Sequence, residues 1–493
     1  MPEVKSTKEF FEYDYFSALF PMETCRFLIE NGEKRIRDHI KKCLSEKPED
    51  GAFQFMAQTR VYASKPKNHL RRTVKLDPVS EFFLYDVVYQ NRSRFRKPFK
   101  DDKKHFGYRF EVGEPLSASS SYKGFKQAQS AYEALYDHSL SFDVASYFNG
   151  IYHHDIVSWF ANAGANAKDV NSLGTFLRQI NSGRSIDCWP QGIYPAKMVG
   201  NDFLRFVEQH HAIKSSAIVR FMDDFCLYSD DPEALTIDFH SIQKLLGQKG
   251  LSVNPSKTKI GAKDGTKIEE EVDDVKASLL AKRRIADKHA YVDDFEAALE
   301  ALQLTEEELQ YIRTLLHAEH LEEEDAELIL SVFRDYTEEV RPHLAGFARA
   351  FPHLAKNIWS FCKHLEDNEI IGQFLEESAD NSGLQEYQLF WFAWILQDFL
   401  MDTEFAPRII GKLYDHKNAT DISKAKILEI PDNRYGLLEM RDGHLVAGRS
   451  DWLAWASAVG HRNLLPISRN HKLEYFGNSS QMNFLIKSIV TDA

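Results

Sequence analysis

The sequence predicts an α+β protein: a mixed α/β N-terminal half that carries the chemistry and an all-helical C-terminal half. Three observations carry this. Two short β-rich apolar runs, residues 218–222 and 225–228, flank the pair Asp223-Asp224 and read as a strand hairpin. A helical run and a further strand-like run follow it, the order of a ferredoxin-like βαββαβ sheet. Beyond residue 293 apolar residues recur at helical spacing almost to the end, with Pro342, Pro352, Pro407, Pro431 and Pro466 as breaks.

Composition bounds the answer. The chain has 493 residues, 43% of them hydrophobic, enough for several buried cores. No apolar run approaches bilayer length, and residues 1–12 are charged, so no membrane association and a cytoplasmic location are expected. Five widely spaced cysteines without a CxxC argue against zinc or disulfides and for reduced, buried thiols. The net charge of −13 is unevenly spread. Residues 60–104 hold 13 Lys and Arg against 5 Asp and Glu, whereas residues 293–340 hold 2 Arg against 16 Asp and Glu. A polyanionic partner therefore suits the first half, and the acidic run reads as a solvated helix face that could also keep DNA off one surface.

Asp-Asp pairs also stand at 101–102, 230–231, 273–274 and 293–294, so the pair alone means nothing. Only Asp223-Asp224 has apolar runs on both sides. Aspartate tolerates the backbone of a tight turn, which places both carboxylates at a hairpin tip, where like charges need a cation. Asp143 ends an upstream β-like run and precedes a helical one; by itself it could be a helix N-cap. Together the three make an oxygen cage for Mg²⁺ or Mn²⁺. Two such ions can activate a 3′-hydroxyl and neutralise leaving pyrophosphate. After the hairpin, Asp231-Pro232 predicts a helix start. Leu235, Phe239, Ile242 and Leu246 share one face, Gly250 ends the helix, and a strand is expected at 251–254.

These residues carry a resemblance. Phe221-Met222-Asp223-Asp224 resembles the aromatic-x-Asp-Asp box of reverse transcriptases, and Phe142-Asp143 through Phe148 their first palm motif. Trp189-Pro190-Gln191-Gly192 resembles their Pro-Gln-Gly box, and residues 250–259, GLSVNPSKTK, their later Gly-Leu…Asn-Pro…Lys-Thr box. Order and spacing agree across all four. The resemblance implies that Asp143, Asp223 and Asp224 are the metal ligands. Phe148 is the aromatic gate against a 2′-hydroxyl, with a plain core phenylalanine as the alternative. Val144, Gln191 and Gly192 belong to the nucleotide-binding set, and Arg71, Arg72 and Lys75 are the triphosphate-binding basic residues of the fingers. Lys257, or else Lys259, serves the pyrophosphate. The implied domains are an N-terminal helical extension (1–60), fingers (61–135), palm (136–262), connector (263–292) and helical domain (293–493).

Departures narrow the resemblance. No aromatic-Leu-Gly primer grip, thumb, nuclease module or RNase H pattern follows Lys259. A polymerase core followed by helices is similar to the bacterial abortive-infection (Abi) polymerases of phage defence. That likeness implies a C-terminal stack of HEAT-like helices and a bacterial cytoplasmic homo-oligomer, a trimer or hexamer. It implies DNA synthesis from dNTPs without a template, on a protein tyrosine, leaving single-stranded DNA attached to the protein. Tyr13 and Tyr15, on an N-terminal segment expected to be mobile, are the candidate priming residues. The alternatives are a templated, retron-like reverse transcriptase and an inactive polymerase-fold scaffold that binds nucleic acid. The C-terminal aromatics could stack on bases, although core packing is their commoner use.

Overall fold

The computed structural model describes residues 4–45, 53–95, 100–262, 275–276, 278–280, 282–283, 304–318 and 321–493. The chain forms two compact units. The first comprises Met1–Pro21, Ile36–Arg60 and Thr73–Ile268; the second comprises Met22–Arg35, Val61–Arg72 and Glu269–Ala493. These units interleave in the region read from sequence as N-terminal extension and fingers. Leu299 and Leu302, which opened the helical pattern, lie outside the described residues.

The elements begin with α1 (Thr7–Asp14), capped by Ser6, and α2 (Glu23–Cys43), kinked at Gly32. β1 (Thr59–Ser64) and β2 (Leu70–Lys75) form a two-stranded sheet. α3 (Pro78–Gln90) starts where the Asp77 carboxylate accepts from Val79 and Ser80 N–H, with Pro78 in the first turn. Nearly all of α3 is buried, because α1 and the later helices Ala167–Ile180 and Tyr194–Phe203 pack around it. Then come β3 (Lys103–Phe106), the short pair β4 (Phe110–Glu111) and β5 (Glu114–Pro115), α4 (Ala118–Leu135) and β6 (His138–Asp143). α5 (Tyr147–Gly150), α6 (His153–Asn162), α7 (Ala167–Ile180), α8 (Tyr194–Phe203) and α9 (Arg205–Glu208) lead to β7 (Ala217–Phe221) and β8 (Asp224–Ser229). α10 (Pro232–Gly247) and β9 (Lys259–Ala262) follow.

One five-stranded sheet organises this unit, in the order β3-β7-β8-β6-β9. The sequence β6, helices, β7, β8, α10, β9 in this antiparallel order is the expected βαββαβ arrangement. β3 adds a fifth strand parallel to β7. Side chains alternate between the two faces. Phe142 stacks on Phe225 at 5.1 Å, with Phe239 of α10 against it, and these close one face. Ala217, Val219, Cys226 and Tyr228 close the other face against Phe125 of α4. Asp224 lies two residues before Cys226 and pairs with Asp143, so both carboxylates belong to the α4 face. The strand expected at 251–254 reduces to one bridge, Val144 to Val253. Asn254 instead caps a 3-10 turn, Pro255–Lys257, and pairing with β6 resumes at Lys259.

In the second unit, helices pack in two alternating rows. Ala355–Cys362, Glu386–Ile395, Asp421–Leu428, Trp452–Gly460 and Gln481–Asp492 each pack on the next. Leu344–Ala350, Asn368–Ala379 and Ala406–Tyr414 form a second row. Phe390, Trp391, Phe392, Trp394, Trp452 and Trp455 are all buried, so these aromatics are core and not a base-stacking surface. The acidic run is only partly a solvated face. Glu306 and Glu307 are exposed, but Glu308 is buried and meets Lys282 Nζ at 2.5 Å. All five cysteines are buried and free, and no helix among the described residues is long and apolar enough to cross a membrane.

A buried ion pair ties the front of α2 into this unit. Glu429 accepts from Glu23 N at 2.9 Å, and from Thr24 N and Thr24 Oγ1 at 2.8 Å. Lys426 Nζ reaches Glu429 at 3.0 Å and lies 3.4 Å from the centre of the Trp394 ring. Both charges are fully buried, so each depends on the other. Glu429→Ala is expected to cost ~3–5 kcal/mol by leaving Lys426 alone. Glu429→Gln, which keeps a carbonyl acceptor, should cost less, and thermal unfolding of the two variants checks the order.

Candidate catalytic site

Asp143, the last residue of β6, stands directly opposite Asp224, the first of β8. Main-chain bonds lock the surroundings. Val144 N donates to Asp223 O at 3.3 Å, Ala145 N to Ser252 O at 2.8 Å and Asn254 N to Asp143 O at 2.9 Å. The segment resembling the Asn-Pro…Lys-Thr box is thereby fastened to the Asp143 strand, which aims Lys257 at the carboxylates. Lys257 Nζ lies 2.7 Å from Asp143 Oδ2, whereas Lys259 is an exposed residue of β9.

The hairpin turn differs from expectation in one respect. Met222, not an aspartate, takes the left-handed backbone, at φ +55°. A methionine gains nothing there by itself, so the turn must be held from outside. Arg220 does this. It is fully buried, and its Nη1 donates to Met222 O at 2.7 Å and to Asn201 Oδ1 at 3.1 Å. Its Nε donates to Glu208, also buried. Asn201 belongs to α8 and Glu208 to α9, so these helices fix the catalytic turn through one guanidinium. Sequence reasoning missed Arg220, Asn201 and Glu208. The available signal was an arginine inside the otherwise apolar strand Ala-Ile-Val-Arg-Phe.

Electrostatics set what the site needs. Burial, then the neighbouring Asp224, pushes the Asp223 carboxyl up to about 6. Burial raises Asp224 as well, and Asp143 adds to it, while Lys257 and Lys126 of α4 oppose the rise. The hydrogen bond to Asp143 holds the Lys257 ammonium above its ordinary range. Asp143 Oδ1 is buried without a hydrogen-bond partner. Among the described residues no three ligating side chains yet form a closed metal cage, and Lys257 supplies the nearest positive charge. The donor set nevertheless fits a hard divalent cation: only carboxylate oxygens, mutually repelling, one of them unsatisfied.

The remaining residues singled out from sequence fall into three places. Phe148 is buried beside the carboxylates' strand end on α5, its ring tip against Gly200, where a β-carbon would come within 3.0 Å. Lys75, Gln191 and Gly192 come together, lining one small pocket with Thr73, whose hydroxyl donates to Gln191 O at 2.7 Å. Lys75 is buried there and paired with Glu81 at 2.6 Å. Gly192 has φ +120°, and a β-carbon on it would meet Leu19 at 2.6 Å, so the close approach it permits is that of Leu19. Arg71 and Arg72 belong to the second unit, where the Arg71 charge acts on the Tyr387 phenol.

Tyr13 and Tyr15 correct the expectation of a mobile N-terminus. Tyr13 ends in α1, donates to Pro115 O at 3.3 Å and packs on Tyr194; burial, then Asp14, pushes its phenol up to about 12. Tyr15 is buried among Phe11 and Phe16. Asp14 holds the segment down by accepting from Tyr85 Oη at 2.6 Å and Tyr194 N at 2.5 Å.

Arg220→Met is expected to leave Glu208 a buried charge with His105 Nδ1, at 3.6 Å, in place of a guanidinium, and to cost ~3–5 kcal/mol. Adding Glu208→Gln should recover part of that loss, because no lone charge then remains. Urea unfolding midpoints of the single and double variants test this; equal midpoints would show that Arg220 holds the turn by packing alone.

Comparison with known proteins agrees with the geometry. Residues 108–312 match the family model described as reverse transcriptase (RNA-dependent DNA polymerase). No curated protein matches the chain. Among solved structures, the telomerase of Candida albicans, in complex with a TWJ fragment of telomeric RNA, aligns at 12% identity and a TM-score of 0.30, over 79% of this chain and 66% of that one. The apo telomerase of Candida tropicalis aligns at 10% identity and a TM-score of 0.33, over 86% of this chain and 73% of that one. Likenesses this weak add nothing to the reading of the site. The family match and the sheet agree: the stretch that matches the reverse-transcriptase model, residues 108–312, includes the strand ends that carry Asp143, Asp223 and Asp224.

Proposed function

We propose that this protein is a phage-defence DNA polymerase of the abortive-infection kind, which builds DNA from dNTPs without a template on one of its own tyrosines. The observation that carries the polymerase reading is the meeting of Asp143 with Asp223-Asp224 at one sheet end, with Lys257 on Asp143. Asp143, Asp223 and Asp224 would hold Mg²⁺ or Mn²⁺, which supplies Lewis-acid activation of the attacking hydroxyl and charge neutralisation at the phosphates. The chain's own groups do the rest. The locked hairpin keeps the carboxylates in place before nucleotide arrives, so little reorganisation accompanies reaction. Lys257 moves from Asp143 to the departing pyrophosphate, to which it offers charge and a proton. Phe148 closes the sugar side against a 2′-hydroxyl, and Gln191, Gly192 and Val144 shape the nucleotide pocket. Of the basic residues that the resemblance assigns to the triphosphate, Lys75 belongs to the unit that carries the carboxylates and serves it after release from Glu81.

The burial of Tyr15 and the engagement of the Tyr13 hydroxyl with Pro115 O argue against these two as the primer. Tyr122 of α4 suits the role better. It is 40% exposed, and its ring stands edge-on to Phe221, two residues before Asp223, at 5.2 Å. The two-row helical packing of the second unit supports the HEAT-like reading, and a homo-oligomer, bacterial and cytoplasmic, completes the proposal.

Purified protein incubated with Mg²⁺ or Mn²⁺ and labelled dNTPs, without primer or template, should become labelled itself, and the label should be lost in Asp223→Asn. Tyr122→Phe should abolish self-labelling while leaving dNTP binding intact. Incorporation only on an added RNA template and primer would instead establish a conventional reverse transcriptase. Phe148→Ala should raise the kcat/KM ratio of ribo- to deoxynucleotide by at least ~10-fold, since one steric clash is worth ~1–3 kcal/mol.

A further inference from the structure

A second cavity lies within the first unit, bounded by α6, α8, α9 and the end of α10, with a volume of about 310 Å³. This is the lower range of small-molecule sites. Its walls combine aromatic and basic groups. Trp159 and Phe206 supply rings, and Arg94, Arg205 and Lys249 supply positive charge. Both acids that line it are engaged. Asp155 pairs with Lys249 at 2.7 Å; Asp202 pairs with Arg205 at 3.3 Å and accepts from Trp159 Nε1 at 3.1 Å. Arg94 is different: its Nε donates to Asn91 Oδ1 at 2.9 Å, and it has no carboxylate partner among the described residues. Gly164, at φ +88°, lies so close to Arg94 that a β-carbon on it would come within 3.2 Å of Nη1. One uncompensated planar cation beside aromatic walls selects a small anion that carries a flat ring.

The cavity is also wired to the catalytic turn. Asp202 and Arg205 on its wall flank Asn201 and Glu208 in α8 and α9, the two side-chain acceptors of Arg220, whose Nη1 holds Met222 O. A ligand that braces this wall would brace the hairpin bearing Asp223. We propose that this cavity is a second, non-catalytic ligand site for a nucleoside monophosphate, with the phosphate on Arg94 and the base against Trp159 and Phe206. The site stands on its own cavity and charges and does not depend on the polymerase reading.

Equilibrium dialysis of the full chain with labelled dAMP, in EDTA to suppress metal-dependent binding at the carboxylates, tests it. One equivalent should bind. Arg94→Ala should weaken binding at least tenfold, and Ser158→Trp, at an exposed lining position, should abolish it by filling the space. Asp223→Asn should leave binding unchanged. Absence of binding at millimolar dAMP would overturn the proposal. So would binding that survives both cavity variants, loss of binding in Asp223→Asn, or equal competition by inorganic phosphate, which would show a bare anion site.

Discussion

The repulsion among Asp143, Asp223 and Asp224 is the constraint on which the first unit is built. Three carboxylates meet at one sheet end, where burial and the neighbouring acids raise the proton affinity of Asp223 and Asp224, and they would splay apart if the backbone were free to relax. The fold prevents this from two directions. Antiparallel pairing places Asp143 opposite Asp224, so their separation is set by sheet geometry rather than by rotamer choice. Arg220 then clamps the one weak point, the left-handed Met222 between the strands. That clamp needs its own buried counter-charge, Glu208, which explains why a short helix lies behind the hairpin. Lys257 completes the arrangement from outside: 61% of its side chain is exposed, so it can hold Asp143 and still leave it.

Much of this was legible in the residues, for identifiable physical reasons. The hairpin, α10 and the Asp143 strand were readable because their apolar periodicity is local and uninterrupted. The helical second unit was readable for the same reason. What was not readable depends on contacts distant in sequence. Arg220 looked like one more residue of a strand until Asn201 and Glu208, from other helices, met it. The strand placed at 251–254 failed because Asn254 hydrogen-bonds locally and turns the chain, a competition that an apolar Leu-Ser-Val run does not reveal. Tyr13 and Tyr15 looked reachable because they stand near a terminus. Their segment is held down by Asp14, whose partners Tyr85 and Tyr194 lie far along the chain.

The C-terminal aromatics and acids illustrate the same limit on the second unit. A tryptophan-rich segment is equally suited to bases and to a core, and only the packing of successive helices decides it. Trp391 and Trp394 lie among Trp359 and their own helix neighbours, with no face left for a ligand. The acidic run likewise divides by position. Its outward members are solvated, while Glu308 turns inward to Lys282.

Two buried acids of the second unit, Glu429 and Glu308, contrast with the carboxylates at the hairpin of the first. Both of these acids are satisfied: Glu429 by Lys426 and four donated hydrogen bonds in all, Glu308 by Lys282, Ser278 and Thr305. Such groups stabilise and do nothing else, because each already has its partners. At the hairpin, by contrast, Asp143 keeps an unsatisfied oxygen and Asp223 a raised proton affinity, with the exposed Lys257 on Asp143 and Lys126 acting on Asp224. A fold retains that much uncompensated charge only where something else completes it. The completing species has to be positively charged, as a divalent cation is.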